Sequence, residues 1–454
     1  MRSTQQMILS GSRVGEYPGP GRAWYATTVL LLVMSLSYLD RQVLSLLVLP
    51  IQADLHLSDT AMGILLGPAF VLLYAIAGLP LGYLVDKYNR RNILAVGLSI
   101  WTLGTIACGL ARSFDMLLIG RALVGMGEAC VIPCTFSLVA DCFPPERRGR
   151  AVGVVSSGVS VGAGLALFGG GFLLKFASTI DHLSWPIVGI LQPWQLVFIS
   201  CGLPGLLVLA LLFSIPEPAR HGHASAVTSP SQEHGLAKFL KRRGGTIAII
   251  LMGYVLFTLI QYSLTSWTPA MFTRRLGLTP AEAGFVLGTL VITVNPTAAL
   301  VGGFLGDWMS KRRPNGRLRM ALLTAPFFIP GAILTCLGAN VELVVLGIAI
   351  TGFAGSMIGT SVYAAIQEIS PGRFRGRMLA IYALAHGLIG MMLGAPAVAF
   401  MTDEVFRNPQ LVHLSMLSVS VPGAALGLFL FWAGQKGFRA MRDETIKAET
   451  VSMA

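Results

Sequence analysis

Four ionisable residues stand inside otherwise apolar runs: Asp40 and Arg41 near the middle of one, Arg121 and Glu128 in another. A charge at the centre of a bilayer costs about 2.5–3.5 kcal/mol by insertion scales, so four facing lipid would not be tolerated. They must face the interior of a helix bundle or a water-filled cavity, and their signs cancel. Arg121 and Glu128 are seven residues apart, on one helix face with about 10.5 Å of rise between them. Gly125 lies between them on that face, with Gly127 beside it, and both permit close approach by a neighbouring helix or a ligand. Asp40 and Arg41 are adjacent and point about 100° apart. Their spacing leaves open whether Asp40 pairs with Arg121 or with another group.

This set suits proton and anion handling. Burial favours the neutral form of a carboxyl, a nearby guanidinium favours the charged form, and opening a cavity changes the balance. Asp40 and Glu128 are the candidate protonation sites. Arg41 and Arg121 are candidate contacts for an anionic substrate group or for the carboxylates. Buried ion pairs stabilise poorly compared with apolar packing, which argues against a purely structural quartet. The second half of the chain offers neutral groups instead: Tyr254, Gln261, Tyr262, Trp267, Asn295, Tyr363, Gln367, Tyr382 and His386. A cavity between a charged half and an apolar-aromatic half would suit an amphipathic substrate. Asn295-Pro296 is expected to break its helix locally.

The elements that carry these residues are membrane spans. Of 454 residues, 54% are hydrophobic and 12% charged, against about 25% charged in soluble domains. Apolar runs long enough to cross a hydrocarbon core of about 30 Å recur along the chain. They lie near 24–50, 59–84, 91–111, 114–140, 149–174, 194–215, 245–272, 280–308, 317–338, 341–368, 374–400 and 409–436. The fold class is therefore all-α membrane protein, with twelve transmembrane helices in two six-helix bundles. The divisions are an amino-terminal tail (1–23), a first bundle (24–217), a linker (218–243), a second bundle (244–436) and a carboxyl tail (437–454). The polar residues 1–23 and the length of the first apolar run argue against a cleaved signal peptide. The six cysteines fall in or beside spans and are expected to pack as small apolar groups; no metal or cofactor is expected.

The net charge of +12 is a topology signal and not a nucleic-acid footprint, because the loops divide it unequally. Twenty-six Lys and Arg fall in the two tails and in the loops after spans 2, 4, 6, 8 and 10, and five on the opposite side. Basic loops stay cytoplasmic, so both termini are expected in the cytoplasm of a multi-pass protein of the cell (inner) membrane.

Two motifs recur between the halves. Gly82-Tyr-Leu-Val-Asp86, followed by Arg90 and Arg91, ends span 2; Gly303-Phe-Leu-Gly-Asp307, followed by Lys311 and Arg312, ends span 8, 221 residues later. Gly149-Arg150 after span 4 returns as Gly376-Arg377 after span 10, 227 residues later. Duplication of a six-helix unit follows. A carboxylate among fixed cations at a helix end can form a pair in one conformation and release it in another, so Asp86 and Asp307 are candidate gate residues.

Gly82, Asp86, Lys87, Arg90 and Arg91 resemble the signature of the major facilitator superfamily, with Asn89 where that family usually has Gly. Asn tolerates a left-handed turn better than most residues. Tyr38-Leu-Asp40-Arg41-Gln-Val-Leu, Gly120-Arg121-Ala-Leu-Val-Gly-Met-Gly-Glu128-Ala and Phe143-Pro-Pro-Glu-Arg-Arg-Gly-Arg150 are similar to the Spinster-type branch. That resemblance implies proton-linked movement of lysophospholipids or sphingoid phosphates, by a chain expected to act as a monomer in the bilayer. Asp40 and Glu128 would then be protonation sites, with Arg41 and Arg121 as partners or head-group contacts. The helix 1 element and the Arg plus Glu of span 4 also look like the organic anion symporters. Multidrug antiporters are a weaker match, because the glycines of span 5 (Gly153, Gly158, Gly162, Gly164) lack that family's Pro. These glycines predict close packing. An enzyme would need a nucleophile or metal motif, and none is present. Duplicated halves argue for alternating access over a channel.

Overall fold

The computed structural model describes residues 17–179, 184–185, 189–220, 230–313, 315–370 and 375–453. Twelve helices are long and apolar enough to span a membrane. In the first half these are α1 (Pro20–Leu46), α2 (Asp59–Lys87), α3 (Arg90–Gly109), α4 (Phe114–Cys142), α5 (Pro145–Ala177) and α6 (Pro193–Ser214). In the second they are α7 (Phe239–Leu276), α8 (Pro280–Arg312), α9 (Gly316–Leu337), α10 (Val341–Ile369), α11 (Arg377–Phe406) and α12 (Pro409–Glu444). The helix of α7 begins already at Pro230, and that of α12 runs on to Met453. Parts of the expected linker and carboxyl tail are therefore helical. A two-stranded hairpin, Ser184–Trp185 against Gly189–Ile190, lies between α5 and α6.

Helix starts follow local chemistry. Ser58, Ser113 and Asn340 each accept a backbone N–H from the first turn of α2, α4 and α10, and Thr279 and Glu282 form a capping box on α8. Asn89 does the same for α3, accepting from Asn92. Its φ is −63°, so it is an ordinary cap and not the left-handed turn expected of it. Capping satisfies an orphan donor, which a left-handed Asn there would not.

Glycine sets the close crossings. A Cβ on Gly162 of α5 would stand 2.0 Å from the Ser35 carbonyl oxygen of α1, and one on Gly125 of α4 would stand 2.1 Å from the Phe70 carbonyl oxygen of α2. Gly162→Ala is expected to cost about 1–3 kcal/mol through overpacking. Gly153, with nothing within 4 Å of its would-be Cβ, should tolerate Ala or gain slightly. Thermal unfolding in detergent checks the pair; equal melting shifts would refute the packing account.

Between the halves, α2 meets α11 and α5 meets α8. A Cβ on Gly63 or Gly67 would strike Ala399 or the Met391 carbonyl, and one on Gly171 or Gly284 would strike Ala281 or the Leu167 carbonyl. All of these crossings lie towards the ends remote from the basic loops. Towards the basic loops, Gly82, Gly149, Gly153, Gly303 and Gly306 meet nothing within 4 Å.

The expected break at Asn295-Pro296 does not occur: α8 is helical from Pro280 to Arg312. Proline removes a single backbone donor, and the helix continues on both sides of it. Irregular backbone falls elsewhere, at Gly67 within α2, at Ala325–Phe327 within α9 and at Ala385–Ile389 and Met401–Phe406 within α11.

Candidate functional site

The two charged helices of the first half cross at Glu128. Its Oε2 accepts from the Ser37 hydroxyl at 2.6 Å and from Arg41 Nε at 2.6 Å. The Glu128 side chain is fully buried and that of Arg41 is 13% exposed. Arg41 is also boxed by aromatic faces: its guanidinium carbon lies 4.9 Å from the Tyr38 ring centroid, 4.8 Å from Phe70 and 5.1 Å from Tyr74. Such contacts contribute about 0.5–2 kcal/mol each, more when dry. Phe70 also faces the Arg121 guanidinium at 5.4 Å. Gly125 makes this possible, since only a residue without Cβ lets the Phe70 backbone approach so closely.

The seven-residue spacing on α4 thus does not make an Arg121–Glu128 pair. Glu128 pairs across to α1, and Arg121 Nη1 donates to the Asp40 backbone carbonyl at 3.0 Å. Asp40 Oδ1, Glu128 Oε1 and Arg121 Nε and Nη2 are buried without a hydrogen-bond partner among the described residues. Unmet capacity of this kind, next to one made ion pair, is where a proton, a water or an anion can bind.

A cavity of about 170 Å³ opens between the halves; Asp40, Arg41, Arg121 and Glu128 do not line it, and the Tyr38 ring, 4.9 Å from the Arg41 guanidinium, stands between it and the pair. Tyr38 and Gln42 of α1 line one wall. Gln261, Thr265 and Thr268 of α7, Asn295 of α8 and Thr351 of α10 give the opposite wall a row of neutral polar groups. Val159, Ala163 and Leu167 of α5 and Leu287, Leu290 and Val291 of α8 supply apolar lining. Of the other candidates, Tyr254 and Tyr382 stack with centroids 4.9 Å apart and share a 2.7 Å hydroxyl bond, with Tyr363 edge-on to Tyr382 at 5.5 Å. Tyr262 is half-buried against the apolar core of the first half. These four tyrosines do not line the cavity. The imidazole of His386 and the Arg373 loop lie outside the described residues. Trp267 is core, donating to the Ala395 carbonyl at 2.9 Å.

At the basic-loop ends the repeat reappears as ion pairs. Arg90 is buried between Asp141 of α4 and Glu217, with Nε 2.7 Å from the Glu217 carboxylate, and it bonds Ser137. Arg91 donates to the Ile215 carbonyl at 3.1 Å. In the second half Arg317 lies 3.2 Å from Asp307 and 3.7 Å from Glu368, which Arg442 also meets. Arg90 and Arg317, and Asp141 and Glu368, are each separated by 227 residues. Asp86 is exposed and has no ion pair among the described residues, so of the two candidate gate carboxylates only Asp307 is engaged.

The opposite end holds a cluster that the motifs gave no sign of. Arg274 of α7 grips Asp59 of α2 through two bonds of 2.6 and 2.8 Å, and Gln52 braces both partners. Asp403 of α11 accepts the Thr60 backbone N–H at 2.6 Å. Both links join one half to the other.

Two bundles, repeated ion pairs and a polar cavity at their interface suit a membrane transporter. The model of the Major Facilitator Superfamily matches residues 30–334 and 290–440. The chain belongs to the major facilitator superfamily. It is 25% identical over 423 residues to an MFS-type efflux pump of Mycolicibacterium smegmatis, covering 93% of this chain and 94% of that one. It is 28% identical over 394 residues to the hexuronate transporter of Bacillus subtilis, covering 83% and 87%. Among solved structures it resembles a bacterial homologue of the human lysosomal transporter Spinster, inward-facing and unoccupied. That match has a TM-score of 0.77 at 26% identity, and it covers 95% of this chain and 99% of that one. The Spinster-type resemblance of the α1 and α4 motifs agrees with this likeness.

Proposed function

We propose that this superfamily member is a proton-coupled secondary transporter of an amphipathic anion, of the lysophospholipid or sphingoid phosphate class. The observation that carries the reading is the buried Arg41–Glu128 pair, separated only by the Tyr38 ring from a cavity of mixed lining. Glu128 Oε2 is fully used and Oε1 is free. A proton arriving at Oε1 neutralises the carboxylate and removes the ion-pair attraction, so that Arg41 keeps only a hydrogen bond to a neutral carboxyl. Arg41 is then available to a phosphate or carboxylate, held against its three aromatic faces. The substrate's apolar part lies along Val159, Ala163, Leu287 and Val291. Release of substrate restores the Arg41 bond and expels the proton. Arg121, held by the Asp40 backbone carbonyl, and the Asp40 carboxyl are further buried polar groups of the same bundle. Asp86, freed at the basic-loop side, re-engages when that side closes. The distribution of basic loops supports cytoplasmic termini in a protein of the inner membrane, and on this reading the carrier works as a monomer without cofactor.

A second reading has its own observation. The cavity, at about 170 Å³, is below the roughly 300–1,000 Å³ of drug-sized pockets, and Gln261, Asn295 and the threonines suit hydroxyl groups. A small polyhydroxylated organic anion fits that description, and a lipid would place only its head there.

Uptake into proteoliposomes under an imposed pH gradient separates the two. Labelled lysolipids and sphingoid phosphates are compared with sugar acids and aromatic acids, and Arg41→Gln serves as the anion-site control. Gradient-driven lysolipid movement that Arg41→Gln abolishes is the expected result. Sugar-acid movement instead selects the second reading. Movement indifferent to the pH gradient refutes proton coupling for either class.

A further inference from the structure

On their lipid-facing side, α8, α9 and α10 enclose a cleft of about 680 Å³, floored by Leu323, Phe327, Ile350 and Phe353. Leu323 also lines a second pocket, of about 370 Å³, whose other walls are Trp308, Met309, Arg312, Arg313 and Arg319. The apolar cleft therefore runs into a cup of three arginines at the basic-loop end of α8. Arg312 stacks on Trp308, its guanidinium carbon 4.0 Å from the ring centroid. Among the described residues none of the three guanidiniums has an ion pair or side-chain hydrogen bond; Arg317, in the same loop, is the one engaged by Asp307 and Glu368.

The first half carries the counterpart cleft, about 570 Å³, between α2, α3 and α4. Its basic-loop end is Tyr88, Asn89 and Asn92. Asn92 stands 227 residues before Arg319, at the same place in the repeat. Both halves thus keep the apolar cleft; at the first half's mouth Arg91 bonds Asn92 and the Ile215 carbonyl and Arg220 bonds the Tyr88 carbonyl, whereas the second half's mouth adjoins the three unengaged arginines. Unsatisfied guanidiniums in a row present forked donors matched to phosphate oxygens. Tryptophan at that depth belongs to the head-group layer. Basic pockets between spanning helices on the cytoplasmic side suit anionic head groups.

We propose that this composite pocket is a binding site for an anionic phospholipid of the leaflet on the basic-loop side. The phosphate lies among Arg312, Arg313 and Arg319, and one acyl chain lies in the cleft between α8 and α10. Val294 lines both this cleft and the central cavity. A bound chain therefore packs against the wall that carries Asn295, and site occupancy is linked to the shape of the transport cavity.

The test uses the full chain purified in a maltoside detergent. Its unfolding temperature is followed during titration with dioleoyl phosphatidylglycerol, dioleoyl phosphatidylcholine and glycerol 3-phosphate. Phosphatidylglycerol alone should stabilise, saturably. Arg312→Gln/Arg313→Gln/Arg319→Gln should need at least about tenfold more of it. Arg319→Asn, which copies the first half, should show the same trend more weakly. Leu323→Trp keeps all three arginines but fills the cleft, and should also lose the response. The proposal is overturned if phosphatidylcholine stabilises equally, if glycerol 3-phosphate suffices, or if the triple variant titrates like the parent.

Discussion

Glu128→Gln is expected to abolish proton-driven accumulation while leaving exchange between equal substrate pools partly intact. Gln is nearly isosteric and still accepts from Ser37 and Arg41 through its carbonyl oxygen, so the crossing of α1 and α4 should persist. What it loses is the charge that Arg41 leaves and returns to, and the site at which a proton can be carried. An uncoupled carrier only equilibrates its substrate, so the internal and external concentrations should become equal whatever the imposed pH gradient. Exchange needs the substrate site and the rocking motion but no net proton movement. Accumulation and counterflow measured on one preparation of proteoliposomes give the contrast. If the mutant still concentrates substrate, Glu128 is not the coupling residue and Asp40, with its partnerless Oδ1, takes its place. If both accumulation and counterflow vanish, the pair is structural.

The second large effect is expected at the far end of the molecule. Arg274 and Asp59 have side chains 8% and 1% exposed and belong to different halves. Their pair therefore exists only while that side is closed. Removing one partner of a buried pair costs about 3–5 kcal/mol, because the remaining charge is left without compensation. In Arg274→Gln that cost falls on the closed arrangement alone, since opening returns Asp59 to water. The equilibrium should move towards opening on that side by roughly 100-fold or more. Spin labels at Ala53 and Glu404, exposed positions on the two halves at that end, should report a longer and broader distance distribution. Adding Asp59→Asn to Arg274→Gln removes the stranded carboxylate and should recover part of the closed population. An unchanged distribution in Arg274→Gln would show that the packing of Gly63 and Gly67 against α11 holds the closure without the ion pair.

Much of the architecture was legible because a membrane imposes few solutions. Twelve apolar runs became twelve helices, and the halves related by Asp86 and Asp307 became two bundles. Of the α5 glycines, Gly158, Gly162 and Gly164 were read correctly as packing positions and Gly153, which meets nothing within 4 Å, was not; Gly125 was read correctly as a point of close approach. Helix interruptions were read less well. Asn295-Pro296 signalled a break, yet the loss of one backbone donor does not interrupt a helix whose flanking turns are intact. Asn89 was expected to stand in for a glycine turn and instead caps α3.

The candidate site divides in the same way. Asp40, Arg41, Arg121 and Glu128 announced themselves as charges where lipid should be, and a one-dimensional reading suffices for that because desolvation is costly at any rotation of the helix. Their partners were a different matter. Ser37, Phe70 and Tyr74 are ordinary residues for a spanning helix, and only the crossing of α1, α2 and α4 turns them into the surroundings of Arg41. Asp59 and Arg274 lie 215 residues apart in the chain and resemble any loop charges until the halves close. Asp141 and Glu368 were findable, since they share the 227-residue offset of Gly149 and Gly376, but a repeat signals equivalence and not contact.

Sequence alone therefore determined the solvent, the number of spans, the duplication and the depth of the charges, since each follows from composition and periodicity along one axis. Tertiary structure decided which carboxylate meets which guanidinium, which polar side chains reach the cavity and which end of the molecule is closed. Those depend on helix rotation and crossing, which small residues at particular contacts set and which no linear pattern encodes.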